Sequence, residues 1–246
     1  MIRTYRLVCS AVAIAAALLA YACPTQASVM IYTYQATGSG SDGPLSAQAT
    51  VTVGAGTVQI DITNTGSTGS VGQEVSGIIM GWTSPVGSVT LASAVASTPN
   101  GIYNFGTGTV DPNSPNITHW GIGNSGSGSN SKTIGLATVG GFAPGGQPTD
   151  LIVGSHSGAP AGSSSHDPNV LTTGIFSLTA TGVTVADLIT SVSFLFGTGP
   201  DTILGSPNVT TISTQTIVPE PASLLLFGSG LFGLRLARRR LRRVKD

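Results

Sequence analysis

Thr57-Val58-Gln59-Ile60-Asp61-Ile62-Thr63 alternates apolar and polar side chains without a break. A period of two puts Val58, Ile60 and Ile62 on one face of an extended chain, the pattern of a strand with one face buried. Ala49-Thr50-Val51-Thr52-Val53, just upstream, alternates in the same way. Gly54-Ala55-Gly56 between the two supplies the small, conformationally permissive residues of a hairpin loop. Working outward, similar runs recur at Val29 to Tyr34, Ile78 to Trp82, Val89 to Ala92, Ile102 to Phe105, Ile117 to Ile122, Ile134 to Val139, Leu151 to Val153, Gly174 to Thr181 and Ser191 to Phe196. Thr, Val and Ile dominate them, and these side chains suit a pleated surface. Pro-Asn pairs at 99–100, 112–113, 115–116, 168–169 and 207–208 mark turns, because Pro presets φ and Asn tolerates the position after it. Val185 to Thr190 reads as a single helical turn. Residues 28–209 are therefore expected to form an all-β domain of β-sandwich or jelly-roll type.

Two stretches inside that domain read as mobile loops. Asn124 to Ser131 has no apolar residue, and Ser155 to Asn169 is rich in Ser, Gly and Pro. Tyr103-Asn104-Phe105-Gly106-Thr107-Gly108 and Phe194-Leu195-Phe196-Gly197-Thr198-Gly199 share a pattern, which two similar strand ends explain more simply than duplicated halves.

Charge is sparse and segregated. Charged residues are 8% of the chain and its formal net charge is zero. Arg3 and Arg6 lie at the N-terminus; Arg235, Arg238, Arg239, Arg240, Arg242, Arg243 and Lys245 lie at the C-terminus; only Lys132 lies between. The central acids are Asp42, Asp61, Glu74, Asp111, Asp150, Asp167, Asp187 and Asp201. A chain with basic ends and an acidic middle calls for its targeting segments to be read first. Without those ends the domain is acidic, which argues against a nucleic-acid partner.

Residues 1–27 have the layout of a secretory signal peptide. A basic start, Met1 to Arg6, precedes an Ala- and Leu-rich apolar helix from Leu7 to Cys23, and Thr25-Gln26-Ala27 ends in a small residue that suits cleavage by signal peptidase after Ala27. Both cysteines, Cys9 and Cys23, fall in this segment, so the processed protein is expected to have no disulfide and no thiolate.

The other end begins with Val218-Pro219-Glu220-Pro221. Ala222 to Leu234 follows, an uncharged run of 13 residues, and then the arginine cluster from Arg235 to Arg243. As a helix that run spans about 20 Å, short of a roughly 30 Å hydrocarbon core. Snorkelling of Arg235 lengthens it, and the arginines hold their end in the cytoplasm as a stop-transfer cluster. A short C-terminal transmembrane helix is the expectation. Residues 210–217 read as a linker to it.

Residues 218–243 resemble the PEP-CTERM sorting signal of exported bacterial proteins. Its three parts stand in order here: Pro219-Glu220-Pro221, a short Gly- and Leu-rich helix, and Arg235, Arg238, Arg239, Arg240, Arg242 and Arg243. The resemblance implies export by the Sec route and a precursor held in the inner membrane. It also implies recognition of Pro219, Glu220 and Pro221 by an exosortase, followed by delivery to the outer surface or extracellular matrix. Association with exopolysaccharide and biofilm is a further implication. Two prolines fit a recognition site, since they keep the tripeptide extended.

A catalytic site is not expected, nor a cofactor. His156 and His166-Asp167 share a Ser-rich loop, but no Gly-x-Ser-x-Gly elbow accompanies them, and the histidine spacing is not that of a common zinc site. Binding stays open. Asp111, Asp150, Asp167 and Asp201 fall in oxygen-rich loops and are candidates for Ca²⁺, Asp111 and Asp167 foremost, against the alternative that they cap their own turns. Trp82, Trp120 and Tyr103 are candidates for stacking on sugars, against the alternative that they fill the core. The leading expectation is a non-enzymatic exported surface or matrix protein. The alternative is a carbohydrate-binding module, calcium-assisted.

Overall fold

The alternating stretch from Thr57 is a strand in a computed structural model of the chain, which describes residues 29–123, 131–140, 147–199 and 201–205. This strand is β3 (Thr57–Asn64), and Val58, Ile60 and Ile62 face inward at 0–1% exposure. It pairs with β2 (Gly43–Gly54), with Gly54 opposite Thr57, so Ala55 and Gly56 close the hairpin. Gly56 has φ 72°, a conformation open to glycine at little cost. β1 (Met30–Gly40) pairs with the whole of β2, from Met30 opposite Val53 to Gly40 opposite Gly43. β12 (Thr173–Ala180) lies on the other side of β3, and β5 (Val89–Ala96) lies beyond it. The first sheet is thus β1-β2-β3-β12-β5, antiparallel throughout.

The second sheet is built around β4 (Val75–Trp82). On one side lie β13 (Ile189–Phe196) and β14 (Asp201–Gly205). On the other, β10 (Leu151–Val153) pairs with the start of β4 and runs parallel to β11 (Asn169–Leu171). β6 (Ile102–Asn104) and β7 (Thr109–Val110) complete that edge. The hairpin of β8 (Gly121–Gly123) and β9 (Thr133–Ala137) joins the later part of β4. Among the described residues the fold is all-β, with helix confined to short 3-10 turns such as Val71–Gln73 and Ser163–His166.

One hydrophobic core joins the two sheets. It takes Val51, Ile60, Phe176 and Leu178 from the first sheet and Ile78, Met80, Ile134 and Phe194 from the second. Trp120 stacks on Phe176 with ring centroids 4.5 Å apart. Tyr32 and Tyr34 donate hydroxyl hydrogen bonds to the carbonyls of Asp187 and Ile189, tying β1 to the segment that enters β13. Burial, with Tyr32 alongside, pushes the Tyr34 hydroxyl up to about 12.

A bulge in β4 decides what its ends face. Gly77 pairs with Leu195, yet Val75 pairs with the next residue, Phe196, so Ser76 is an extra residue. Val75 and Ile78 can then both enter the core, while Gly77 and Ile79 look outward toward a small second cluster of Ala137, Val139 and Leu195.

Several elements differ from the sequence expectation. Ile117 to Ile122 is not one strand: the amides of Thr118 and His119 bind the Asp150 carboxylate instead of a neighbouring strand, and only Gly121–Gly123 pairs. Val185 to Thr190 is not helical. The Asp187 carboxylate accepts from the Thr184 amide and hydroxyl to form a turn, and Ile189 already starts β13. β1 and β2 run well past the expected limits, and β7, β11 and β14 were not foreseen. The two similar segments at 103–108 and 194–199 each lead into a hairpin, Asn104 opposite Thr109 and Phe196 opposite Asp201, at opposite edges of the second sheet. The Asn124–Ser131 loop, apart from Ser131, lies outside the described residues, as do the signal peptide, the linker 210–217 and the sorting segment.

Candidate functional site

Ser155 to Asn169 was expected to be a mobile loop; Asn169 instead starts β11, and Ser155 to Pro168 is a strap fastened at many points. Thr68 donates its amide to the Ser155 carbonyl, Val71 to Ala161, and Ala161 to Gly69. His166 Nδ1 donates to the Pro148 carbonyl at 2.9 Å. Parallel bridges pair Ser155 with Ser67 and Ala161 with Ser70, so the strap runs beside the segment that leads into β4.

Glu74, the residue before β4, has no exposed surface. Ser163, itself buried, donates its hydroxyl to Glu74 Oε1. Oε2 has no partner among the described residues. Burial raises the Glu74 carboxyl to about 8; the Ser163 hydrogen bond opposes the shift and the nearby Asp167 carboxylate adds to it. Glu74 is therefore mostly protonated at neutral pH. Its carbonyl accepts from the Gly197 amide at 2.8 Å, which fixes the β13–β14 turn.

Asp167 and Asp111 hold the β6–β7 hairpin. Asp167 Oδ1 accepts from the Phe105 amide at 2.8 Å and Oδ2 from the Gly106 amide at 2.6 Å, while the Asn169 amide group donates to Oδ1 at 2.9 Å. Asp111 accepts from the Asn113 amide at 2.7 Å and from Asn104 Nδ2 at 3.2 Å. These are the contacts of turn and hairpin anchors. Among the described residues no three His, Cys, Asp or Glu side chains cluster as a metal site. The buried carboxylate of Asp150 has a similar role, with Oδ2 accepting from the Thr118 and His119 amides at 2.8 and 2.9 Å and from His119 Nδ1 at 3.2 Å.

The hairpin and the strap enclose a pocket. Its cavity is about 290 Å³, lined by Tyr103, Phe105, His156, Gly158, Ala159 and Leu171. Tyr103 and Phe105 meet edge to face with centroids 5.3 Å apart, and Phe105 and His156 meet likewise at 5.2 Å. The Gly158 carbonyl faces His156 Nδ1 at 2.8 Å, which places a proton on Nδ1, so that Nε2 is an acceptor in the neutral ring.

Of the three aromatic candidates from the sequence, the structure buries Trp82 and Trp120 in the core at 2% and 3% exposure. Tyr103 alone reaches a pocket. Phe105 and His156, its companions, were not singled out for binding, although Tyr103 and Phe105 stand two apart and share a face by the strand period. His156, His166 and Asp167 are not assembled as a relay. The two histidines bond to carbonyls, Asp167 bonds to amides, and the Ser163 hydroxyl is buried against Glu74.

The chain thus has a two-sheet all-β domain with a pocket on one edge. Its final segment places it more narrowly: residues 218–243 match the PEP-CTERM protein-sorting motif, the C-terminal exosortase signal. The motif marks an exported protein, processed by exosortase from a membrane-anchored precursor. No curated protein and no solved structure matches the chain. Among the described residues no helix is long and apolar enough to cross a membrane. Pro219, Glu220, Pro221, the arginine cluster and Ala27 all lie outside those residues.

Proposed function

We propose that this is a non-enzymatic protein whose β-sandwich domain is delivered to the outer surface or extracellular matrix, in association with exopolysaccharide. The observation that carries the proposal is the sorting motif at 218–243. The domain's own chemistry agrees with it. The strap histidines, Asp167 and Ser163 are engaged in holding the fold, and among the described residues His156, His166 and Asp167 form no relay to a serine. In the proposed pathway Ala27 precedes the signal-peptidase cut, and Pro219, Glu220 and Pro221 are what exosortase reads. The short apolar helix and the arginines hold the precursor in the membrane until that cut.

Replacing Pro219, Glu220 and Pro221 together by alanine tests the pathway in the native host. The variant should accumulate in the membrane fraction at precursor size. Release at the normal size would overturn the role given to the tripeptide.

The second reading is a carbohydrate-binding module, and the aromatic pocket favours it. Asp111 and Asp167 both bind the hairpin that carries Tyr103 and Phe105, so a calcium contribution would act through that hairpin. Calorimetric titration with matrix polysaccharide, with and without Ca²⁺, separates the two readings: heat of binding supports the second, and its absence supports the first.

A further inference from the structure

We propose that the pocket between the β6–β7 hairpin and the strap seats one ring of a neutral sugar, with Tyr103 and Phe105 as the stacking surface. This rests on the second reading above and gives it a site. Three observations converge on the ligand class. First, the cavity of about 290 Å³ sits at the lower limit for small-molecule pockets, which suits a single ring in place of an extended ligand. Second, the lining has no charged side chain when His156 is neutral, so neither a cation nor an anion meets a counter-charge in direct contact, and the acidic domain around it disfavours an anion further. Third, the surface is amphipathic in the way a pyranose is. Phe105, Leu171 and Ala159 offer apolar contact for a face of C–H groups, while the Tyr103 hydroxyl and His156 Nε2 offer a donor and an acceptor for ring hydroxyls.

The site is also preorganised. Asp167 fixes the backbone of Phe105 and Gly106 through two amide hydrogen bonds, and β11 pairs with β6 at Tyr103. The His156 ring is held by the Gly158 carbonyl and by Phe105. A ligand would therefore meet aromatic groups whose ordering was completed on folding.

The test uses the full chain in a detergent without a sugar headgroup. It is titrated with neutral glucose, galactose and mannose oligosaccharides, with binding read by calorimetry. At least one should bind, and Tyr103→Ala and Phe105→Ala should each weaken it about tenfold or more. Ala159→Trp, at an exposed position on the rim, should block the pocket without disturbing the core. Its loss of binding at unchanged thermal midpoint keeps the test informative should the other variants unfold. Binding that survives all three substitutions would overturn the site and leave the carbohydrate-binding reading standing. No binding of any oligosaccharide by the unaltered chain would overturn both.

Discussion

Glu74 is the only glutamate between the two end segments, and the fold buries it completely. A carboxyl taken out of water with one hydroxyl as partner favours its neutral form, which is why its pKa rises to about 8 from an ordinary 4.5. The direction of the pH effect follows. Between those two values the unfolded chain has lost the proton that the folded chain keeps, so stability falls as pH rises through that window. Glu74→Gln keeps the shape and removes the titration. Denaturant midpoints at about pH 5 and about pH 9 should show a loss on the order of a few kcal/mol for the unaltered chain and a much smaller one for the variant. Equal losses in both would show that another group carries the dependence. The sequence offered one hint of this role, a lone Glu among seven Asp, but burial of a charged residue type has no periodic signature and depends on what the strap covers. The partners of Asp150 were equally hidden, because the amides it binds lie some thirty residues away in the chain.

Among the elements, long alternating strands were legible and short ones were not. β3, β12 and β13 announce themselves by regular inward apolar residues. β11 begins at an asparagine inside a Ser-, Gly- and Pro-rich stretch, and its three residues are strand because β10 and β6 pair with them. β1 and β2 run on through Gly38-Ser39-Gly40 because each supplies the other's hydrogen bonds, which local composition does not disclose. The β4 bulge belongs to this scale too. Gly77, just past it, lies where an added Cβ would come within 2.5 Å of the Ala137 Cβ and 2.9 Å of Leu195 Cδ1. Gly77→Ala should therefore destabilise the fold by about 1–3 kcal/mol through overpacking. Gly199→Ala, with open space around the added atom, should be nearly neutral in the same thermal melts. Equal melting of the two variants would contradict the close packing of β4 against β9 and β13.

At the scale of the whole molecule, the zero net charge sums three segments of different charge. Nine of the ten basic residues lie in the ends, and eight of the ten acids lie in the domain. A basic start and a basic finish both favour the cytoplasmic side, which places the acidic domain outside and is consistent with the sorting motif at 218–243. The sorting motif was legible, because targeting segments are read by the cell as linear sequence. The pocket was not, since it joins a hairpin near residue 103 to a strap near residue 156 that only folding brings together. The most direct test of the account is the intact mass of the protein isolated from its native host. The expected product is a chain that starts just after Ala27 and ends near Pro219-Glu220-Pro221, without the apolar run and the arginine cluster. A mass that retains residues 222–246 on the released protein would contradict it.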